Sequence, residues 1–138
     1  MATLEQQKAF IATIAPVVQA EAKKRGYAIC SAAIAQACVE SAYGTSSLAY
    51  KHHNYWGMKT GSKWTGPSVN MKTKEEYQPG VLTGIRDNFR CYPDLSAGVV
   101  GYYTFISAAR YKALKIATSA HDYLQKIKSA GYCTSSTY

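Results

Sequence analysis

At 138 residues and 47% apolar content, the chain has the length of a single domain, 1–138, large enough for a real hydrophobic core. No stretch approaches the roughly 18 uninterrupted apolar residues of a membrane-spanning helix, so membrane insertion is not expected. Sixteen Lys and Arg against eight Asp and Glu give a formal charge of +8 and call for an anionic partner or surface. The basic residues are scattered, with Lys23, Lys24 and Arg25 the only run, which marks out no phosphate-tracking stripe and argues against nucleic acid as that partner.

In chain order, Thr3 and Gln6 fit a capping box, and Phe10, Ile14, Val17 and Val18 continue at helical spacing. Pro16 is expected to kink this helix or start a second one, and Gly26 to stop it behind the basic run. Ser31 is the expected cap of a second helix, 31–40, apolar on nearly every side and therefore the buried centre of the domain. Residues 46–52 read as a short helix. From 54 to 92 glycines and prolines separate strand-like pieces, and residues 69–77 and 85–92 are predicted to pair as a hairpin across Gln78, Pro79 and Gly80. Asp94 then caps a helix over Leu95–Ile106, followed by helical segments near 110–118 and 119–130 that stop at Gly131.

Glu40 stands out because it ends the apolar run. In the last turn of a helix stopped by Gly44, both the helix dipole and apolar surroundings oppose its ionisation, as a general acid near neutral pH requires. Of the eight carboxylates, Glu5 and Glu21 fall on the polar side of the first helix, and Asp94 and Asp122 fit helix starts; Glu40, Glu75, Glu76 and Asp87 remain. Glycoside hydrolysis commonly pairs an acid with a second carboxylate, and Glu75 and Glu76 are both candidates, one on each face of a strand. Twelve tyrosines, each with a flat apolar face and a hydroxyl, suit a sugar substrate. Cys30, Cys38, Cys91 and Cys133 form no zinc-ligand pattern with His52, His53 or His121 and are expected as buried thiols, with a Cys91–Cys133 bridge as the alternative. No metal and no cofactor is implied.

The segments AQACVESAYGTSSLA (35–49), NYWGMK (54–59), EY (76–77), FRCY (89–92) and GYCT (131–134), in this order, resemble the bacterial glucosaminidase domain of glycoside hydrolase family 73. The resemblance covers nearly the whole chain. It implies an α+β, mostly α, lysozyme-like fold, with a helical core and a small β-hairpin lobe bordering the substrate groove. It also implies a monomeric peptidoglycan hydrolase, an endo-β-N-acetylglucosaminidase cleaving the β-1,4 bond between N-acetylglucosamine and N-acetylmuramic acid. Catalysis maps onto Glu40 as acid, Glu76 as second carboxylate and Tyr132, and substrate binding onto Asn54, Tyr55, Trp56 and Tyr77. Cys91 and Cys133 depart from the family pattern. Such an enzyme works outside the cell or in the wall, and with Glu5 where a secretion signal would place basic and apolar residues, export by lysis or another route is expected. The alternatives are a lytic transglycosylase of the same fold, a non-hydrolytic wall-binding module, and a wall peptidase using a thiol.

Overall fold

The computed structural model describes residues 1–78 and 80–132, the side chains of 74–77 excepted. Five α-helices, α1 Leu4–Arg25, α2 Ser31–Glu40, α3 Ser47–His52, α4 Leu95–Ile106 and α5 Ala120–Ser129, are joined by the antiparallel hairpin β1 Ser68–Gln78 and β2 Val81–Arg90 and by a 3₁₀ helix, Ala109–Ile116. This is the α+β arrangement expected, a helical body with one hairpin lobe.

The capping box forms: Gln6 N–H donates to Thr3 Oγ1 at 3.1 Å and Thr3 N–H to Gln6 Oε1 at 2.8 Å. Against expectation, Pro16 does not divide α1. Proline removes one N–H donor, but the completely buried Ile14 and Val18 on either side hold the turn in place. Gly26, at φ +83°, ends the helix. Two further corrections concern α2. Its N-cap is Cys30, with no side-chain capping bond, and Ser31 is its first helical residue. Nor is it buried all round: Ala32, Ala33, Gln36, Ala37 and Cys38 face inward, whereas Ser31, Ala35, Val39 and Glu40 are exposed. Small alanines let α1 and α5 approach it closely.

The core is completed by Val99, Tyr102, Tyr103 and Ile106 of α4 and by Tyr123 and Ile127 of α5. Inside it, the Tyr102 hydroxyl donates to Gln36 Oε1 at 2.6 Å and lies 2.7 Å from the Tyr123 hydroxyl, so these buried polar atoms satisfy one another. Burial first, then the neighbouring phenols, pushes Tyr102 well above the usual tyrosine range, keeping it a neutral hydrogen-bonding group.

The hairpin runs in register from Ser68↔Arg90 to Glu75↔Thr83, then shifts by one residue before Gln78↔Val81. β2 thus starts at Val81, earlier than the predicted 85, because exposed Val81 and Leu82 extend the ribbon to its tip. At its root Phe89 is buried and bridges to Lys59. Of the three described cysteines Cys38 is buried, while Cys30 and Cys91 are half-buried free thiols rather than the buried ones expected. Cys133 lies outside the described residues.

Candidate active site

The end of α2 is shaped to present Glu40. The buried Ser41 hydroxyl donates back to the Ala37 carbonyl and accepts the Gly44 N–H at 2.8 Å, closing a tight turn. Ala42, Tyr43 and Gly44 follow one another at positive φ, reversing the chain within three residues. Gly44 is required twice over, by its φ of +77° and because a Cβ there would stand 2.6 Å from the Phe10 ring. Glu40 is therefore exposed on a rigid corner. Its exposure differs from the enclosure by apolar surroundings expected from the sequence.

The segment 54–59 forms the floor beside it. Asn54 is buried and donates from Nδ2 to the carbonyls of Met58, at 2.9 Å, and Arg90, at 3.0 Å, while its Oδ1 accepts the Met58 N–H at 3.0 Å. All three bonds are internal, so Asn54 staples the floor to the root of β2 rather than meeting a sugar. Trp56 is only 2% exposed, donates from Nε1 to the Ala33 carbonyl of α2 at 2.9 Å, and stacks on Tyr102 with ring centroids 4.4 Å apart. Its faces are covered by protein, which removes it as a sugar platform and makes it a brace between floor and acid-bearing helix. Tyr55 is likewise buried, its hydroxyl 3.0 Å from His53 Nδ1 and its ring against Phe10. The Tyr55 hydroxyl is held un-ionised by burial.

Tyr132 is half-buried among Tyr102, Phe105 and Tyr111, and its hydroxyl donates to the Trp56 carbonyl at 3.2 Å. The next residue, Gly57, has φ +63°, and a Cβ on it would stand 3.2 Å from Glu40 Oε2. The Trp56–Gly57 step thus places the Tyr132 hydroxyl and the Glu40 carboxylate at neighbouring positions of one backbone segment. Glu76 and Tyr77 fall in the irregular stretch of β1 between Glu75 and Gln78; their side chains, like that of Glu75, lie outside the described residues.

Two residues were not singled out from the sequence. Gly57 sits inside the NYWG segment, and its positive φ is a backbone conformation that favours glycine. Arg90 lays its guanidinium 4.9 Å from the Trp64 ring and 5.3 Å from Phe105, and donates from Nε to the Lys59 carbonyl at 2.9 Å, fixing the hairpin root. It lies in the FRCY segment, but its role at the hairpin root comes from contacts distant in sequence. Cys38 and Cys91 have thiols pushed up by burial, opposite to what a nucleophilic thiolate needs. Among the described residues no group of three His, Cys, Asp or Glu is placed to hold a metal, and no helix is long and apolar enough to cross a membrane.

This geometry is matched by similarity to known proteins. The family described as mannosyl-glycoprotein endo-beta-N-acetylglucosaminidase matches residues 15–138. The peptidoglycan hydrolase FlgJ of Pseudomonas aeruginosa is 33% identical over 135 residues, 94% of this chain and 33% of the relative. The exo-glucosaminidase LytG of Bacillus subtilis is 30% identical over 141 residues, 98% of this chain and 49% of the relative. The chain therefore spans between a third and a half of the length of these two relatives. A crystal structure of a peptidoglycan hydrolase mutant from Sphingomonas sp. A1 superposes with a TM-score of 0.82 at 26% identity, covering 94% of this chain and 86% of that one. With its lysozyme-like α+β body, its glutamate-bearing α2 and a family match over nearly its whole length, the chain belongs to the glucosaminidase family, glycoside hydrolase family 73.

Proposed function

We propose that the chain is a peptidoglycan hydrolase, an endo-β-N-acetylglucosaminidase that cleaves the β-1,4 bond after N-acetylglucosamine. Glu40 protonates the departing oxygen, and Glu76 on the hairpin supplies the second carboxylate. The observation that carries this reading is the Glu40 carboxylate on an exposed, rigid corner, one residue along the floor from the anchor of the Tyr132 hydroxyl. The Tyr132 hydroxyl, held by its bond to the Trp56 carbonyl, orients the substrate 2-acetamido group. Tyr77 contacts the sugar beside Glu76, whereas Asn54, Tyr55 and Trp56 act from below by holding the floor. The protein works as a monomer on the bacterial wall.

Digestion of purified wall sacculi followed by mass spectrometry tests the reaction. New reducing-end N-acetylglucosamine is the expected product; anhydromuramic ends would assign a lytic transglycosylase instead. The named activity of the Bacillus relative makes release from chain ends the second reading. Internal cutting shortens long glycan strands early in the digestion, whereas end release yields small products while the strands remain long. Glu40→Gln is expected to keep the fold and wall binding and lose at least about a hundredfold in kcat. Undiminished lysis would remove Glu40 from the mechanism.

A further inference from the structure

The two faces of the hairpin differ in what they touch. Val69, Met71 and Ile85 are half-buried and Phe89 buried on one face, whereas Asn70, Lys72, Gly84, Arg86 and Asn88 are exposed on the other. On the exposed face Lys72 and Arg86 stand directly opposite in register. Like charges so placed destabilise a two-stranded ribbon. Among the described residues neither has an ion-pair partner; the adjacent acid, Asp87, is half-buried and paired to Lys59 at 3.4 Å.

The arrangement is nonetheless ordered. Arg86 Nε donates to Asn70 Oδ1 at 2.7 Å and Nη2 to the Asn70 carbonyl at 3.3 Å, and Asn70 Nδ2 donates to Asn88 Oδ1 at 3.0 Å. One edge of the guanidinium is thereby fixed to the ribbon, and the other N–H groups remain available to a ligand. Gly84, two residues before Arg86, has open space where a Cβ would be. An open hollow of about 510 Å³ is lined by Lys72, Gly84 and Arg86 of this face together with Thr73 and Ile85 of the opposite one, so it wraps the edge of the ribbon rather than lying on this face alone.

We propose that this face is a docking surface for the carboxylates of the peptide side chains carried by the glycan substrate. A fixed guanidinium beside a flexible ammonium suits a carboxylate. The sugar hydroxyls of the glycan give no reason for two unpaired cations, but the carboxylates of its attached peptides do. The surface also lies on the strands that carry the backbone of Glu76, so a peptide bound there belongs to the polymer lying at the scissile bond. The inference rests on the glycan-cleaving reading above and names what the hairpin recognises.

The test compares two forms of one substrate: purified glycan strands bearing their peptides, and the same strands stripped of peptides by an amidase. For the double variant Lys72→Gln, Arg86→Gln, KM on peptide-bearing strands is expected to rise about tenfold with kcat unchanged, while both constants on stripped strands stay at the native values. Arg86→Lys, which keeps the charge but not the fork, is expected to recover part of the lost affinity. An equal rise on both substrates, or none on either, overturns the proposal. So does competition by polyphosphate at concentrations where a free peptide carrying the same carboxylates does not compete, since the surface would then be a phosphate site. Native protein that leaves both substrates uncut would instead defeat the glycan-cleaving reading. In that event sedimentation of the Glu40→Gln protein, with and without the double substitution, on peptide-bearing and stripped strands still decides the docking proposal.

Discussion

The two sides of the proposed cleft are built on opposite principles. Glu40 stands on a helix whose inner face is buried and on a corner fixed by Ser41 and Gly44, over a floor tied to the core by Trp56 and Asn54. Glu76 belongs to a two-stranded ribbon, an element of marginal stability by itself, which among the described residues is anchored at its root by Phe89, Arg90 and the bridge to Lys59. One carboxylate is therefore positioned by the fold and the other by an appendage. A general acid must meet one oxygen at a fixed distance, which suits the rigid side, whereas a ribbon can adapt to the polymer it borders.

The largest expected effect breaks the rigid side. Trp56→Ala deletes a buried ring stacked on Tyr102 and its bond to α2, and is expected to cost about 3–5 kcal/mol, read as a shift of the urea midpoint, with loss of lysis. An activity loss without that shift would mean that Trp56 does not brace the fold. Next in size is Asn54→Ala, which severs the joint between the two sides. Three hydrogen bonds, two of them buried and one half-buried, at about 1 kcal/mol each give about 2–3 kcal/mol. Its distinguishing readout is hydrogen exchange: the Thr60 and Arg90 amides, which bond to the Asn88 and Met58 carbonyls, are expected to lose more protection than those of α2 and α4. A uniform loss would show that the hairpin root is held by something other than Asn54.

The same contrast governs what was legible in the sequence. The helices were readable because caps and stops act locally: Thr3, Ser46, Asp94 and Ser119 accept the N–H groups that their positions announce. Glu40 draws attention in the sequence because a carboxylate closing an apolar run is unusual in itself. Exposure was not readable, since which face of α2 is covered depends on where α1 and α5 dock. The same holds for Asn54, Tyr55 and Trp56. Their residue types fit a sugar groove, but only packing against Ala33, Tyr102 and Phe10 shows that these side chains point inward. Pro16 misled because its cost is local whereas the burial of Ile14 and Val18 is tertiary.

Gly57→Ala isolates the position of the carboxylate from the stability of the floor. At φ +63° an alanine costs about 1–2 kcal/mol, and its Cβ pushes on the exposed Glu40 carboxylate, which can move aside by a few tenths of an ångström into solvent. That movement costs little stability but displaces the reacting atom, so kcat is expected to fall about tenfold with KM nearly unchanged. Gly57→Asn carries the same Cβ but tolerates positive φ better. Equal kcat losses in both variants with different melting temperatures would assign the effect to the contact with Glu40, whereas losses that track melting temperature would leave Gly57 only a backbone role.

The smallest expected effect belongs to the ribbon's tip. Leu82 is 63% exposed and lies opposite the register shift of β1, far along the strands from the anchored root. Leu82→Ser removes apolar surface that folding does not bury, and global stability is expected to stay within about 0.5 kcal/mol of the native value in urea unfolding. If the tip contributes only through contact with polymer, lysis of intact wall falls while cleavage of short soluble glycan fragments does not. A global destabilisation comparable to that of Asn54→Ala would instead mean that the ribbon is integrated with the core along its whole length, and the contrast between a fold-fixed acid and an appended partner would have to be given up.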